Sequence, residues 1–336
     1  KNRLREILSG GGEIRPVDKK YGRFVCRALF TTITNAAFDD DAVIGRIKEA
    51  LKLKDEIKGT FLAEYGKKHE KEFSGAPPDC AAWHSEDNAG ILERSRSGEV
   101  RITAQQNADI RSLRELLIIG CKGIAAYADH AAVLGHEKEE IYDFIMEALD
   151  STTRDLAVGD MVALVMKAGE TAVKTMALLD EANTAAYGHP EMTRVNLGVG
   201  KNPGILISGH DLKDMEELLK QTEGAGVDVY THGEMLPANY YPAFKKHAHL
   251  AGNYGGSWWH QNEEFESFNG PIVLTTNCLV PVKKENTYLS RLFTTGVVGY
   301  PGARHIPDRM PGGSKDFSGV IELAKTCRPP RELEKG

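Results

Sequence analysis

Three residues that can hold a metal follow three short apolar runs in the second half of the chain: His210 after GILISG, Glu234 after VDVYTHG and Cys278 after PIVLTTN. Thiolate favours soft or borderline ions and carboxylate favours hard ones, so zinc and iron are the metals that tolerate the whole set. Each residue alone has an ordinary reading. His210 precedes DLKDMEELL and can help open a helix, Glu234 can serve a helix amino terminus, and Cys278 can pack as a small apolar side chain. The case for a site therefore rests on shared placement.

That placement comes from strands. Each run is short, apolar and β-branched, and is bounded by Gly, Pro or Asn, the pattern of a buried strand in an α/β sheet. Ligands bind at the carboxyl ends of such strands, where loops and helix amino termini converge. The order strand GILISG, helix DLKDMEELLKQTEG, strand VDVYTHG, helix over 236–246, strand PIVLTTN and strand GVVGY predicts a parallel sheet with right-handed crossovers, a Rossmann-like α/β domain over 189–336. Before it, 1–188 read as an all-helical bundle. A striped helix over 40–70 leads to a loop over 77–103, and three further helices start near Asn107, Glu137 and Gly159. The helix from Asn107 is apolar on more than one face and is expected at the centre of the bundle. At 336 residues, two domains are the natural expectation.

Composition excludes some classes of function. A formal net charge of −6 argues against a nucleic-acid surface. No run approaches the roughly 18 consecutive apolar residues of a membrane span. The opening KNRLREILSGGGEIRPVDKK has no signal-peptide core, so a cytoplasmic protein with no membrane partner is expected. The five cysteines, Cys26, Cys80, Cys121, Cys278 and Cys327, are widely spaced and form no CxxC pair, which suits a reducing compartment. The chain opens on Lys and closes on KTCRPPRELEKG, and it is expected to be a segment of something longer.

Other motifs are weaker. GVGKNPG at 198–204 has the glycines of a dinucleotide fingerprint but precedes its strand, so nucleotide binding is discounted. His247 and His249 in KKHAHL are expected on a solvated face. GNYGGSWWHQNEEFESF, with Trp258 and Trp259, reads as an active-site cover or an interdomain contact. No HExxH, GxSxG or P-loop pattern occurs.

Taken together, ISGHDLKD, VYTHGEMLPA, HLAGNYGG, PIVLTTNC and GVVGYPG resemble the hybrid cluster protein family, also called prismane proteins or hydroxylamine reductases. The resemblance extends to ALFTTITNAAFDDD, IGCKGIAAYADHAAVLGH and YGHPEMTRVN, and so covers nearly the whole chain. It implies an oxidoreductase that reduces hydroxylamine to ammonia, or nitric oxide to nitrous oxide, with electrons from a redox donor protein. It also implies a hybrid iron–sulfur–oxygen cluster of the 4Fe-2S-2O type, with His210, Glu234 and Cys278 among its ligands. A cluster with both sulfide and oxo character accommodates the mixed ligand set, Cys278 as a fixed anchor and His210 and Glu234 as ligands that change distance. The family's cysteine motif for a second iron–sulfur cluster is absent from these residues, as are the further cysteines, glutamate and lysine of its carboxyl-terminal domain. Cys327, in a polar segment, is not assigned as a ligand. Two other readings stay open, a catalytically inactive scaffold fragment and a single-zinc site of hydrolase type, and the isolated fragment is expected to be inactive.

Overall fold

A computed structural model describes residues 19–75 and 78–333. The segment read for a signal core falls largely outside these residues, as does Pro77 at the start of the expected loop. The chain forms two compact units, one comprising residues up to Phe30, Asp40–Ala132 and His136–Leu179, the other Thr31–Asp39, Val133–Gly135 and the residues from Asp180 onward.

The first unit is helical: α1 (Lys19–Thr31), α2 (Asp40–His69), the short α3 (Asp79–Ala82) and α4 (Asn88–Arg96), α5 (Ala108–Val133), α6 (Glu139–Ser151) and α7 (Val158–Tyr187), the last turns of which belong to the second unit. Acids open α2 and basic residues close it, matching the helix dipole. Asn107 caps α5, its side-chain oxygen accepting from Asp109 N at 3.0 Å and Ile110 N at 3.1 Å. Leu117, Cys121 and Ile124 of α5 and Ile141, Phe144 and Ile145 of α6 are buried. Gly22 lets α1 approach α6 closely, since a Cβ there would lie 2.5 Å from Tyr142 Cγ. The Tyr142 hydroxyl donates to Glu137 at 2.8 Å, and Glu137 also pairs with Arg23.

The second unit is a six-stranded sheet: β1 (Gly204–Ser208), β2 (Asp228–His232), β3 (Leu250–Asn253), β4 (Ile272–Leu274), β5 (Leu292–Thr294) and β6 (Arg304–His305), in the order β3-β2-β1-β4-β5-β6. Every pairing is parallel. Side chains alternate across the strands. Ile205, Ile207, Val229, Val273 and Phe293 pack with α8 (Leu212–Thr222) and α11 (Ser318–Thr326) on one face. Leu206, Tyr230, Ile272, Leu274 and Leu292 pack on the other with Tyr254, Tyr288 and the Phe265–Phe268 end of α10 (Gln261–Ser267). Covering both faces explains the unbroken apolar strands. Each fully buried Leu, Ile or Phe contributes about 1.5–3 kcal/mol. The chain winds outward from β1 through β2 to β3, then returns to place β4 on the other side of β1. That reversal makes the carboxyl ends of β1 and β4 a topological switch point, the usual ligand position of such sheets.

The helical half and the parallel α/β sheet are as expected, but several elements differ. The last predicted strand, GVVGY, is a turn and an isolated bridge, and β5 is the preceding LFT. Gly296, at φ 61°, turns the chain away. The helix expected over 236–246 is a 3₁₀ helix, Gly233–Tyr240, followed by the single turn α9 (Pro242–Lys245), because Pro237 and Pro242 cannot donate to a continuous helix. The expected loop over 77–103 contains α3, α4 and two 3₁₀ turns. Helix α5 is not enclosed on all sides, since Leu116, Ile119 and Tyr127 are exposed. By mean hydropathy it also has the length and composition of a membrane span, although its apolar residues form no uninterrupted run of that length. Lys122 and Asp129 break the run, whereas an average over the window tolerates them. A core helix meets the same criterion. His247, expected on a solvated face, is buried, with its ring 5.6 Å from that of His249.

Candidate metal centre

The three candidate residues stand at the carboxyl ends of three neighbouring strands, β2, β1 and β4, on either side of the reversal. After β1 the chain turns at Gly209, whose φ of 106° excludes most side chains, and a Cβ there would lie 2.7 Å from Thr276 N. The turn seats His210 against β4, with Nδ1 2.8 Å from Thr276 Oγ1. Thr275 Oγ1 donates to Ser208 O at 3.1 Å and accepts from Asp211 N at 3.2 Å. Asp211 then caps α8 by accepting from Asp214 N at 2.9 Å.

Helix α8 is held by a buried charge network. Asp214 accepts from Lys315 Nζ at 2.8 Å and Thr295 Oγ1 at 2.5 Å and also pairs with Arg309, which bonds Glu217 at 2.8 Å through Nε. Lys315 N donates to Glu217 at 2.9 Å. Burial pushes the Asp214 carboxyl up while Lys315 and Arg309 pull it down. Removing either cation would leave a poorly compensated buried charge.

Strand β2 ends at His232, clamped between Ser208 Oγ (3.0 Å from Nδ1) and Glu264 Oε2 (2.8 Å from Nε2). Gly233 follows at φ 53°, then the exposed Glu234. Beyond β4, Thr275, Thr276 and Asn277 lead to Cys278, which has φ 74°. A left-handed conformation costs a non-glycine residue on the order of 1–2 kcal/mol and persists only where the surroundings hold it. Here Gln261 Nε2 donates to Cys278 O, Gln261 Oε1 accepts from Val280 N at 3.1 Å, and Leu279 N donates to Asn35 O at 2.9 Å. Burial first, and then the Glu234 carboxylate, push the half-buried Cys278 thiol up to about 11. A carboxylate that disfavours a neighbouring thiolate is the electrostatic setting a bound cation would relieve, so this donor pair suits a metal.

The three residues thus share one edge of the sheet, with Glu234 near enough to Cys278 to perturb it and His210 bonded to the residue two before Cys278. Among the described residues, no three His, Cys, Asp or Glu side chains lie close enough to enclose an ion. Cys327 lies apart from these loops, its Sγ donating to Leu323 O at 3.2 Å. In the glycine-rich 198–204 loop, Gly200 N donates to the Tyr230 hydroxyl at 2.7 Å.

Sequence reasoning missed Ser208, His232, Gln261, Asn262 and Glu264. The glycines and aromatics of GNYGGSWWHQNEEFESF read as an active-site cover or an interdomain contact, whereas within it Asn262 bonds Pro281 O at 3.1 Å and Lys283 N at 3.0 Å, and Glu266 accepts from Thr287 N at 2.7 Å. Polar residues among the aromatic anchors of α10 were the available signal. Trp259 is exposed and Trp258 half-buried.

The sequence profile of the Prismane/CO dehydrogenase family matches residues 1–336. The chain belongs to that family. Among curated relatives in this Prismane/CO dehydrogenase group, a protein named hydroxylamine reductase from Desulfosudis oleivorans is 67% identical over 331 residues, 98% of this chain and 58% of the relative. A hydroxylamine reductase from Nitratidesulfovibrio vulgaris is 65% identical over 336 residues, 99% of this chain and 60% of its own length. One from Clostridium perfringens is 52% identical over 334 residues, 99% and 59% respectively. The chain therefore spans about three fifths of these relatives.

Proposed function

We propose that this chain is part of an oxidoreductase that reduces hydroxylamine to ammonia, and that His210, Glu234 and Cys278 hold one side of its iron–sulfur–oxygen cluster. The observation that carries the reading is their placement at the carboxyl ends of three neighbouring strands around the switch point, with the Glu234 carboxylate near enough to raise the Cys278 thiol. The names of the relatives support the substrate. When bound, such a cluster supplies electrons and a Lewis-acidic iron that weakens the N–O bond.

The chain's own contribution is placement. Cys278, its carbonyl held by Gln261 and the two following amides held by Asn35 and Gln261, is a fixed thiolate anchor. His210 and Glu234 are exposed side chains at loop starts, able to follow a small displacement of the ion they bind. Thr276 holds the His210 ring through Nδ1 and so orients it, as hydrogen-bond partners of metal-binding histidines do. Hydroxylamine takes up two electrons and two protons to yield ammonia and water. A redox donor protein would supply the electrons, and a second cluster, the cysteine motif of which is not in these residues, would relay them.

The test is iron, acid-labile sulfide and zinc analysis of the full-length protein prepared anaerobically, beside Glu234→Ala and Cys278→Ala variants. Several irons with sulfide, and a cluster spectrum altered in both variants, are the expected result. An unchanged spectrum in both overturns the ligand assignment. One zinc, or no metal, moves the reading to the hydrolase-type site or the inactive scaffold. Parallel assays with hydroxylamine and nitric oxide separate the two substrates.

A further inference from the structure

One short helix bonds directly to two of the three strand ends and reaches the third through His232. Gln261 and Glu264 are three residues apart on α10 and so share a face. Gln261, fully buried, bonds Cys278 O and Val280 N. Glu264 bonds His232 Nε2 at 2.8 Å, two residues before Glu234, and its other oxygen accepts from Gly256 N at 2.8 Å. His232 in turn bonds Ser208 at 3.0 Å, two residues before His210. The spacing of three strand ends is thereby referred to one rigid element.

We propose that Gln261 is a positioning residue that aims the Cys278 thiol, and that Glu264, through His232, sets the neighbouring strand ends to the same helix. The physical reason lies in the backbone. At φ 74° Cys278 occupies a region disfavoured for an L side chain, and rotation to negative φ would swing the Cα–Cβ bond and carry Sγ away from its present direction. Gln261 opposes that rotation because its carboxamide spans the peptides on both sides of Leu279. An amide is suited to this task, since it donates to Cys278 O and accepts from Val280 N at once. The segment is held from another side by Asn35 O, itself on a left-handed residue at φ 57°. Removing Gln261 leaves the strained turn itself tethered through Leu279 N to Asn35 O, the next bonds lying further along at Pro281 O and Val282 N. The relevance of this aim to a cluster rests on the ligand assignment above, whereas the aim itself does not.

The experiment therefore has two arms. In the chain as it stands, iodoacetamide labelling of Cys278 is followed peptide by peptide with mass spectrometry, with half-buried Cys327 as the internal standard for opening of the same unit and buried Cys26 and Cys121 for the helical unit. Gln261→Met, which keeps length and loses both bonds, should raise the Cys278 labelling rate about tenfold, equivalent to about 1.4 kcal/mol. Cys327, Cys26 and Cys121 should stay unchanged. Gln261→Glu keeps the acceptor for Val280 N and loses the donor to Cys278 O, so it should fall between the two, and it decides the question if Gln261→Met does not fold. In the second arm, full-length Gln261→Glu and Glu264→Gln should retain iron but show a shifted cluster spectrum. Cys278 labelling within about twofold of wild type in a folded Gln261 variant, under 0.5 kcal/mol, overturns the positioning role. Altered labelling with an unchanged cluster spectrum keeps Gln261 as the aim of Cys278 and sinks the ligand assignment instead.

Discussion

Gly209→Ala is the most informative single substitution at the β1–β4 switch point. A Cβ at Gly209 would lie 2.5 Å from Thr275 Oγ1, 2.7 Å from Thr276 N and 2.9 Å from Thr276 Oγ1. The Thr276 amide cannot step aside cheaply, because Thr275 N is bonded to Ser208 O at 3.0 Å and Thr275 Oγ1 to the same oxygen at 3.1 Å. Two costs add: about 1–2 kcal/mol for a side chain at positive φ and about 1–3 kcal/mol for forcing a methyl into packed structure. Gly226→Ala isolates the first cost, since Gly226 has φ 74° and open space around its Cβ position. The expected losses are about 2–5 kcal/mol at Gly209 and about 1–2 kcal/mol at Gly226. The assay is urea unfolding followed by fluorescence in a Trp83→Phe background, where Trp258 and Trp259 report on the sheet unit. Following one unit matters because two units need not unfold together. The reasoning is refuted if Gly209→Ala costs no more than Gly226→Ala.

Three further outcomes follow from the same structure. Lys315→Met should destabilise the sheet unit by about 3 kcal/mol, because it strips a cation from a buried carboxylate that keeps Arg309 and Thr295, and a loss below about 1 kcal/mol in the same unfolding assay would contradict the network. Burial and neighbouring His249 hold the His247 pKa below its ordinary 6.5. The unfolded chain therefore takes up the proton first, stability falls as pH drops from about 6.5 through the lowered value, and His247→Gln should flatten that part of a pH series. Alkylation of Cys278 should show an inflection near pH 11, and Glu234→Gln should lower it without bringing it to the 9.0 of an exposed thiol, because burial is the larger cause. An inflection unmoved by that substitution would show that the two groups do not face each other.

What the sequence could show was set by local rules. The period of the helices, the dipole-matched ends of α2 and the unbroken apolar runs of β1, β2 and β4 were all readable, because each depends on residues within a few positions. Three ligand-competent residues after three strands were visible for the same reason. The strand β5 was misplaced by a few residues because LFT and GVVGY are both apolar and β-prone, and only the turn at Gly296 separates them. Strands β3 and β6 escaped notice, since LAGN and RH carry little apolar signal and are strands through their neighbours.

The sequence by itself determined the succession of elements, the ends at which His210, Glu234 and Cys278 must lie and, through the matching family profile, membership of the Prismane/CO dehydrogenase family. Tertiary structure alone decided that β2, β1 and β4 are neighbours, that Cys278 is held left-handed, and that Gln261, His232 and Glu264 stand behind the three candidate residues. The reason is range. A strand's apolar pattern reports that it is buried but not beside which strand, and a carboxamide bonded to a backbone seventeen residues away leaves no periodicity in the chain that carries it.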